Sequence, residues 1–294
     1  MARSLAHPYT VVSVADAGRE LATIAPLAVQ IFGAGDRPPG WFQRKLVREN
    51  VDPELSSLAF GTGGKLVGYL LVGDEPGDDT SEHTAHCAGL GVLPPDRHRG
   101  LGPALVARSV AAVHRRRAAA LHALTEPPLR GFYEHLGFHP VLARHTLHTT
   151  GLGPRDLELA AHPPAAWALP GRSIAGWRPG TWSRTPKLHA ATLTLARGAA
   201  HLSREGQAIL VQRLCVDTSD DHDDHKTIAA THLALDSLRR SFAVTTPILL
   251  YGFDIVSCIT ASLLRTDHCR IVQTSWEMHL AIVGPVDKPA PPAA

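Results

Sequence analysis

Long apolar runs are missing from this chain. Nowhere do about 18 hydrophobic residues follow one another without a break, so no membrane-spanning helix is expected. The N-terminal stretch MARSLAHPYT has no apolar segment of the secretory kind, which makes the cytoplasm the expected compartment. Cysteine is scarce as well: Cys87, Cys215, Cys258 and Cys269 stand apart without C-x-x-C spacing, so neither a zinc site nor a disulfide framework is expected. Charge of one sign is nearly absent. A formal net charge of +2 over 294 residues gives no reason to expect nucleic acid or an anionic membrane as partner. Histidine is plentiful, at 18 residues, but dispersed, and most of these side chains are expected at surface or structural positions.

At about 150 residues per domain, a chain of this length predicts two domains, each able to bury its own core. The stretch that organises the rest is 85–138. An apolar run from Leu90 to Leu93 stops at Pro94-Pro95, and Arg97-His98-Arg99-Gly100-Leu101-Gly102 then opens onto a helix-period run through Leu105, Val106, Val110 and Val113. A strand, a glycine loop and a helix N-terminus in this order form a place for a phosphate. The glycines let the main chain approach a ligand, and the first helical amides lack internal partners. The loop has no Lys-Ser/Thr and is not spaced as G-x-G-x-x-G, so neither the P-loop nor the dinucleotide fingerprint describes it.

R-x-x-G-x-G, followed about thirty residues later by Phe132-Tyr133-Glu134-His135-Leu136-Gly137-Phe138, resembles the GNAT superfamily of N-acetyltransferases. The resemblance implies an α/β (α+β) fold whose central sheet is mixed, mostly antiparallel and flanked by helices. It implies acetyl-coenzyme A, or another acyl-coenzyme A, as the cofactor. Arg97, His98, Arg99, Gly100, Leu101 and Gly102 would grip its pyrophosphate. Leu90, Gly91 and Val92, on a strand that splays from its neighbour, would hold the pantetheine and face the carbonyl. Tyr133 takes the place of the family tyrosine near the thioester sulfur, the alternative for it being a packing role. Glu126 stands where the family often has a cofactor-touching Asn, and Pro103 removes one amide just inside the helix. A family glutamate that serves as base lies eleven residues before the first basic position of the motif, which is His86 here. Glu82 is the second candidate, and other members use a water chain. Cys87 has no base at readable spacing, so direct attack within a ternary complex is expected.

In chain order, the pattern predicts a strand over Tyr9 to Val14 and a helix through Leu21, Ile24, Leu27 and Ile31, capped by Asp16. A second helix is predicted over Trp41 to Val51, then a hairpin with its turn at Gly63-Gly64, a polar loop over 73–81, and a strand over 85–93. Next come a helix from Pro103 to about Arg117, a short strand over Ala119 to Thr125, a helix begun by Pro127-Pro128 and a closing strand over His139 to His148. Residues 1–150 thus read as a GNAT acyltransferase domain. GLGPRD and the breaks at Pro163-Pro164 and Pro170-Gly171 mark a boundary. Residues 151–287 then repeat a strand–helix–strand–helix–strand plan, with strands over Ala208 to Val216, Pro247 to Phe253 and Ile271 to Val283. They carry acids from Asp217 to Asp224 where the first half has glycines, and the final helix has no tyrosine. They are expected to form a degenerate GNAT-like domain without coenzyme A, followed by a disordered tail at 288–294. The Asp220 to His225 cluster could suggest a metal, but contiguous residues rarely converge on one ion, and no metal is assigned. The expected acceptor is a small-molecule amine. An acyl-carrier protein or aminoacyl-tRNA donor, meeting Arg108, Arg115, Arg116 and Arg117, is the other transferase reading, and an acyl-coenzyme A-binding regulatory protein is the non-enzyme one.

Overall fold

The computed structural model describes residues 9–33, 35, 38–75, 82–158, 172–176, 190–218, 223–254, 257–266 and 269–282. The first half opens with β1 (Thr10–Ser13), a 3-10 turn at Leu21–Ile24, and helices α1 (Ala25–Phe32) and α2 (Trp41–Arg48). Strands β2 (Ser57–Phe60), β3 (Leu66–Glu75) and β4 (Thr84–Val92) follow, then α3 (Leu101–Arg115), β5 (Ala120–Thr125), α4 (Arg130–His135) and β6 (His139–Thr150). The second half contributes β7 (Arg172–Gly176), β8 (Ala190–Leu195), β9 (Gly198–Glu205), β10 (Ala208–Val216), α5 (Asp224–Arg240), β11 (Pro247–Asp254), α6 (Cys258–Arg265) and β12 (Arg270–Ala281). No helix among the described residues is long and apolar enough to cross a membrane.

Local sequence explains the principal elements. In α3, Leu101, Leu105, Val106, Ser109, Ala112 and Val113 recur at helical spacing and are buried as one stripe. Burying a side chain such as Leu105 completely stabilises by about 1.5–3 kcal/mol. In β6, buried positions alternate with half-buried ones from Ala143 to Thr149, the period expected of a strand packed on one face. Gly137, with φ +87°, takes the left-handed turn that ends α4 and starts β6.

The strands form one sheet in the order β1-β2-β3-β4-β5-β12-β6-β11-β10-β9-β8, with β7 on β10 off this path. Most pairs are antiparallel; β4 with β5 and β10 with β11 are parallel. The expected mixed, mostly antiparallel architecture flanked by helices is therefore present, but where one central sheet per half was expected, the two halves share a single sheet. Each half sends its last strand across: β12 pairs with β5 over Trp276–Ala281, and β6 pairs with β11 over Arg144–Thr150. β12 and β6 run antiparallel side by side at the centre. Two apolar clusters lie to either side, one around Leu58, Leu70, Leu105 and Phe138 and the other around Leu202, Leu238, Ile248 and Phe253.

Several expectations need correction. Asp16 caps no helix; it lies in the turn after β1, pairs with Arg108 at 3.0 Å, and leaves the helical segment to begin at Leu21 without a side-chain cap. Residues Gly73 to Glu75 extend β3 instead of opening a loop, because Asp74 and Glu75 pair with Ala85 and Thr84. β7, β8 and β9 were not anticipated. The glycines of the 151–156 stretch are packed: a Cβ on Gly151 would lie 2.1 Å from the Ala243 carbonyl oxygen, and one on Gly153 would lie 2.4 Å from that of Arg240. Asp156 secures the stretch by accepting from the Ala243 amide at 3.0 Å and from Arg204 at 2.9 Å. The breaks at 163–164 and 170–171, residues Asp220 to His222 and the 288–294 tail lie outside the described residues.

Candidate active site

The parallel pairing of β4 with β5 is brief. It joins Thr84, Ala85 and His86 to Ala120, Leu121 and His122 and then stops, while β4 continues to Val92 and β5 to Thr125. Beyond His86 the two strands no longer pair, and the end of β4 lines a cavity of about 670 Å³. Of the residues singled out by sequence, Leu90, Gly91, Val92, Arg97, His98, Gly100, Leu101, Gly102 and Tyr133 line it together.

Three local features build the cavity. Gly100 sits at φ +79°, a left-handed conformation that costs other L-residues energy, and from there the chain enters α3 with no side-chain cap. The first turn of α3 thus presents its amides and the positive end of its dipole to the cavity, along the wall formed by Leu101 and Gly102. Gly91 lets α1 close over β4: a Cβ there would come within 2.9 Å of the Ile31 side chain. A Cβ on Gly102 would similarly lie 3.1 Å from the Phe132 ring, so the glycine lets that ring close on the mouth of α3. This cradle fits a long, thin ligand with an anionic end. The acid on its rim, Asp96, is occupied by the Tyr9 hydroxyl, which donates to it at 2.9 Å.

Tyr133 is 6% exposed and makes edge-on contacts with Phe132 and Phe138, with ring centroids 5.1 and 5.3 Å away. Burial, and then the neighbouring Cys87 thiol, push its pKa up, so the phenol keeps its proton at any physiological pH and stands as a hydrogen-bond donor. Arg97 donates through Nε to the Val92 carbonyl at 3.0 Å, fixing the loop to the end of β4. His98 takes a positive φ of 59° in the same loop.

Four expected residues lie outside this lining. Arg99 is turned away, donating to the Tyr9 hydroxyl at 2.9 Å, and thereby ties the loop to the start of the chain. Glu126 is exposed at the far end of β5, and Glu82 is exposed two residues before β4. His86 is 1% exposed. Its Nε2 lies 3.1 Å from Glu49 Oε2 and its Nδ1 lies 3.7 Å from Glu75 Oε1. Gly73 makes this possible, since a Cβ on it would come within 2.4 Å of the His86 ring. Burial alone would raise the Glu49 pKa, but the hydrogen bond to His86 and the charges of Lys45 and Arg48 outweigh it and hold the carboxyl well below its ordinary value of 4.5. Sequence reasoning missed the lid: Ile31 and Phe32 from the end of α1, with Leu129 and Phe132 beside Tyr133. Phe32 is 53% exposed, and nothing in the local sequence pattern marks its ring as part of the site.

The arginines considered for a macromolecular donor are partly engaged. Arg108 pairs with Asp16, and Arg116 pairs with both Asp52 and Glu54 at 2.9 Å. The helix in the second half that corresponds to α3 in chain order is closed differently: Asp223 caps α5 by accepting from the Lys226 amide at 3.1 Å.

The profile of the Acetyltransferase (GNAT) family matches residues 24–138. No curated protein sequence matches the chain. Among solved structures, the chain is similar to a Pyrococcus horikoshii protein assigned as an acetyltransferase, at 14% identity, TM-score 0.64, and coverage of 96% of this chain and 92% of that one. It is also similar to a GCN5-related N-acetyltransferase from Sphaerobacter thermophilus, at 15% identity, TM-score 0.57, and coverage of 96% and 98%. A third such enzyme, from Anabaena variabilis, gives 12% identity, TM-score 0.54, and coverage of 94% and 73%. At these identities the likeness speaks for the fold, which extends over both halves. The family profile covers the splayed strands, the uncapped helix and Tyr133, and residues 24–138 form an acetyltransferase domain of the GNAT family.

Proposed function

We propose that the protein transfers an acetyl group from coenzyme A to the amine of a small molecule, by direct attack and at one site per chain. The observation that carries this reading is the convergence, on one cavity, of the open edge of β4, the uncapped N-terminus of α3 and the protonated phenol of Tyr133. When bound, acetyl-coenzyme A supplies the acyl carbon and a thiolate leaving group. The α3 amides and the loop from Arg97 to Gly102 take its phosphates. Leu90, Gly91 and Val92 orient its arm along β4 and offer main-chain groups to the carbonyl. Tyr133 donates a proton to the sulfur.

For the base we favour His86 over Glu82. A buried imidazole with an ionised carboxylate behind it, here Glu49 at 3.1 Å, is strengthened as a proton acceptor in the same way as the histidine of a catalytic dyad. His86 lies away from the cavity lining, so a water would connect it to the acceptor. Glu82 is exposed beyond the start of β4.

Free coenzyme A is favoured over a macromolecular carrier because Arg108 and Arg116, the obvious contacts for a tRNA or carrier protein, already hold acids of this chain. In the second half, Asp223 occupies the helix end that would have to receive phosphate. That supports a single coenzyme A site. The decisive experiment is thiol release from acetyl-coenzyme A in the presence of a panel of primary amines, with the acylated product identified by mass. Release with at least one amine is expected; binding of coenzyme A without release from any amine would leave a ligand-binding protein instead.

A further inference from the structure

Acylating an amine that binds as an ammonium ion leaves a proton to be removed. The nitrogen gains a bond to the acyl carbon as the carbon–sulfur bond breaks, and it sheds two protons. One ends on the departing sulfur, by way of Tyr133 in the reading above. The other must leave the site. If His86 receives it, the proton arrives on a ring that is 1% exposed, and it must be passed on before the next turnover.

The strand register supplies a route. His86 of β4 stands opposite His122 of β5, His122 stands opposite His279 of β12, and His279 stands opposite His139 of β6. Directly opposed residues of paired strands project to the same face, with Cβ atoms about 5 Å apart. The four imidazoles therefore lie in a row across four neighbouring strands. Burial falls along the row, from buried His86 through half-buried His122 and His279 to exposed His139. The His122 and His279 rings stack, with centroids 4.9 Å apart and planes within 14°. β12 belongs to the second half in sequence, so the row exists only because that strand is inserted beside β5.

We propose that this row of histidines conducts the acceptor's surplus proton from His86 through His122 and His279 to solvent. The inference rests on the acyl-transfer reading and on His86 as the base. Imidazole suits the task because its two nitrogens can take a proton on one side and release it on the other near neutral pH, through an intervening water where rings stack. The charged groups facing the row are Glu49, Lys45 and Arg48 from α2, Glu75 from β3, and Glu277 of β12 with its partner Arg144 of β6 at 3.1 Å. No reactant beyond acetyl-coenzyme A and the amine is needed, since only a proton moves.

The test uses the full chain, acetyl-coenzyme A, and the primary amine that wild type turns over fastest, in weakly buffered solution. His122→Gln is expected to lower kcat by about a hundredfold, the low end of a proton-transfer contribution. The KM for acetyl-coenzyme A should stay unchanged, and added free imidazole should restore turnover. His279→Gln should behave in the same way, and it decides the matter if His122→Gln fails to fold. An unchanged kcat, or a loss that imidazole does not restore, overturns the relay. Wild type that releases no thiol with any amine overturns acyl transfer and the relay together, whereas active wild type with indifferent variants overturns the relay alone.

Discussion

Tyr133 is a test at the scale of one atom. Replacing it by Phe removes the hydroxyl and keeps the edge-on packing against Phe132 and Phe138. Turnover should fall toward the lower end of about 10²–10⁴-fold, because coenzyme A is a fair leaving group even without an acid. Cofactor affinity measured on the same variant should hold; a fall in affinity at constant kcat would reduce Tyr133 to a packing residue. Gly100→Asp should abolish coenzyme A binding in calorimetry while the circular dichroism spectrum stays that of wild type. The substitution strains a left-handed position and sets a negative charge where phosphate must sit. Glu49 gives a pH prediction. Its carboxyl has a depressed pKa in the folded protein, so it contributes stability that is present above its ordinary value near 4.5 and is lost as pH falls through the lower folded value. Glu49→Gln should therefore cost about 1.5–3 kcal/mol at pH 7, with the gap in melting temperature to wild type closing in acid. The nine residues found together on the cavity were legible because glycine and tyrosine spacing is local information. His86 was legible as a position, but its carboxylate partners were not, since Glu49 arrives from the end of α2 and Glu75 from β3, both distant in sequence.

Among the elements, α3 and α5 show how a helix terminus is opened or closed. α3 begins at Gly100, with no side chain to satisfy its amides, and α5 begins at Asp223, whose carboxylate does so. Asp223→Ala should lower stability by about 1 kcal/mol, as loss of an N-cap commonly does, and it should leave the stoichiometry at one coenzyme A per chain by titration. Two equivalents bound to the wild type would contradict the single-site reading. The same contrast explains what could be read beforehand. Strands and helices between 84 and 150 stand out because Val, Leu and glycine punctuation mark them in place. β8 and β9, AATLTL and GAAHLSRE, are rich in alanine with little β preference of their own. They are strands because β10 and each other offer partners, and partners do not show in a window of ten residues. The lid failed to show for a related reason: Phe32 ends a helix whose docking against Gly91 is a tertiary contact.

In the whole molecule the two halves are joined by the crossing of their last strands at the centre of the sheet. Arg44 and Arg48 of α2 also hold Glu205, the last residue of β9, at 2.9 and 3.3 Å. A sheet without an internal edge should melt as one unit. A single calorimetric transition with matching van't Hoff and calorimetric enthalpies is expected, and two resolved transitions would show that the halves unfold apart. The position of β12 has a consequence for how the protein is made. The ribosome delivers β5 long before β12, and at about 5–20 residues per second the interval lasts on the order of ten seconds or more. Throughout it, the edge of β5 that carries His122 waits for a strand still unsynthesised. The nascent first half is thus a holding state with an open seam, and the enzyme becomes whole only when the second half reaches back to complete it.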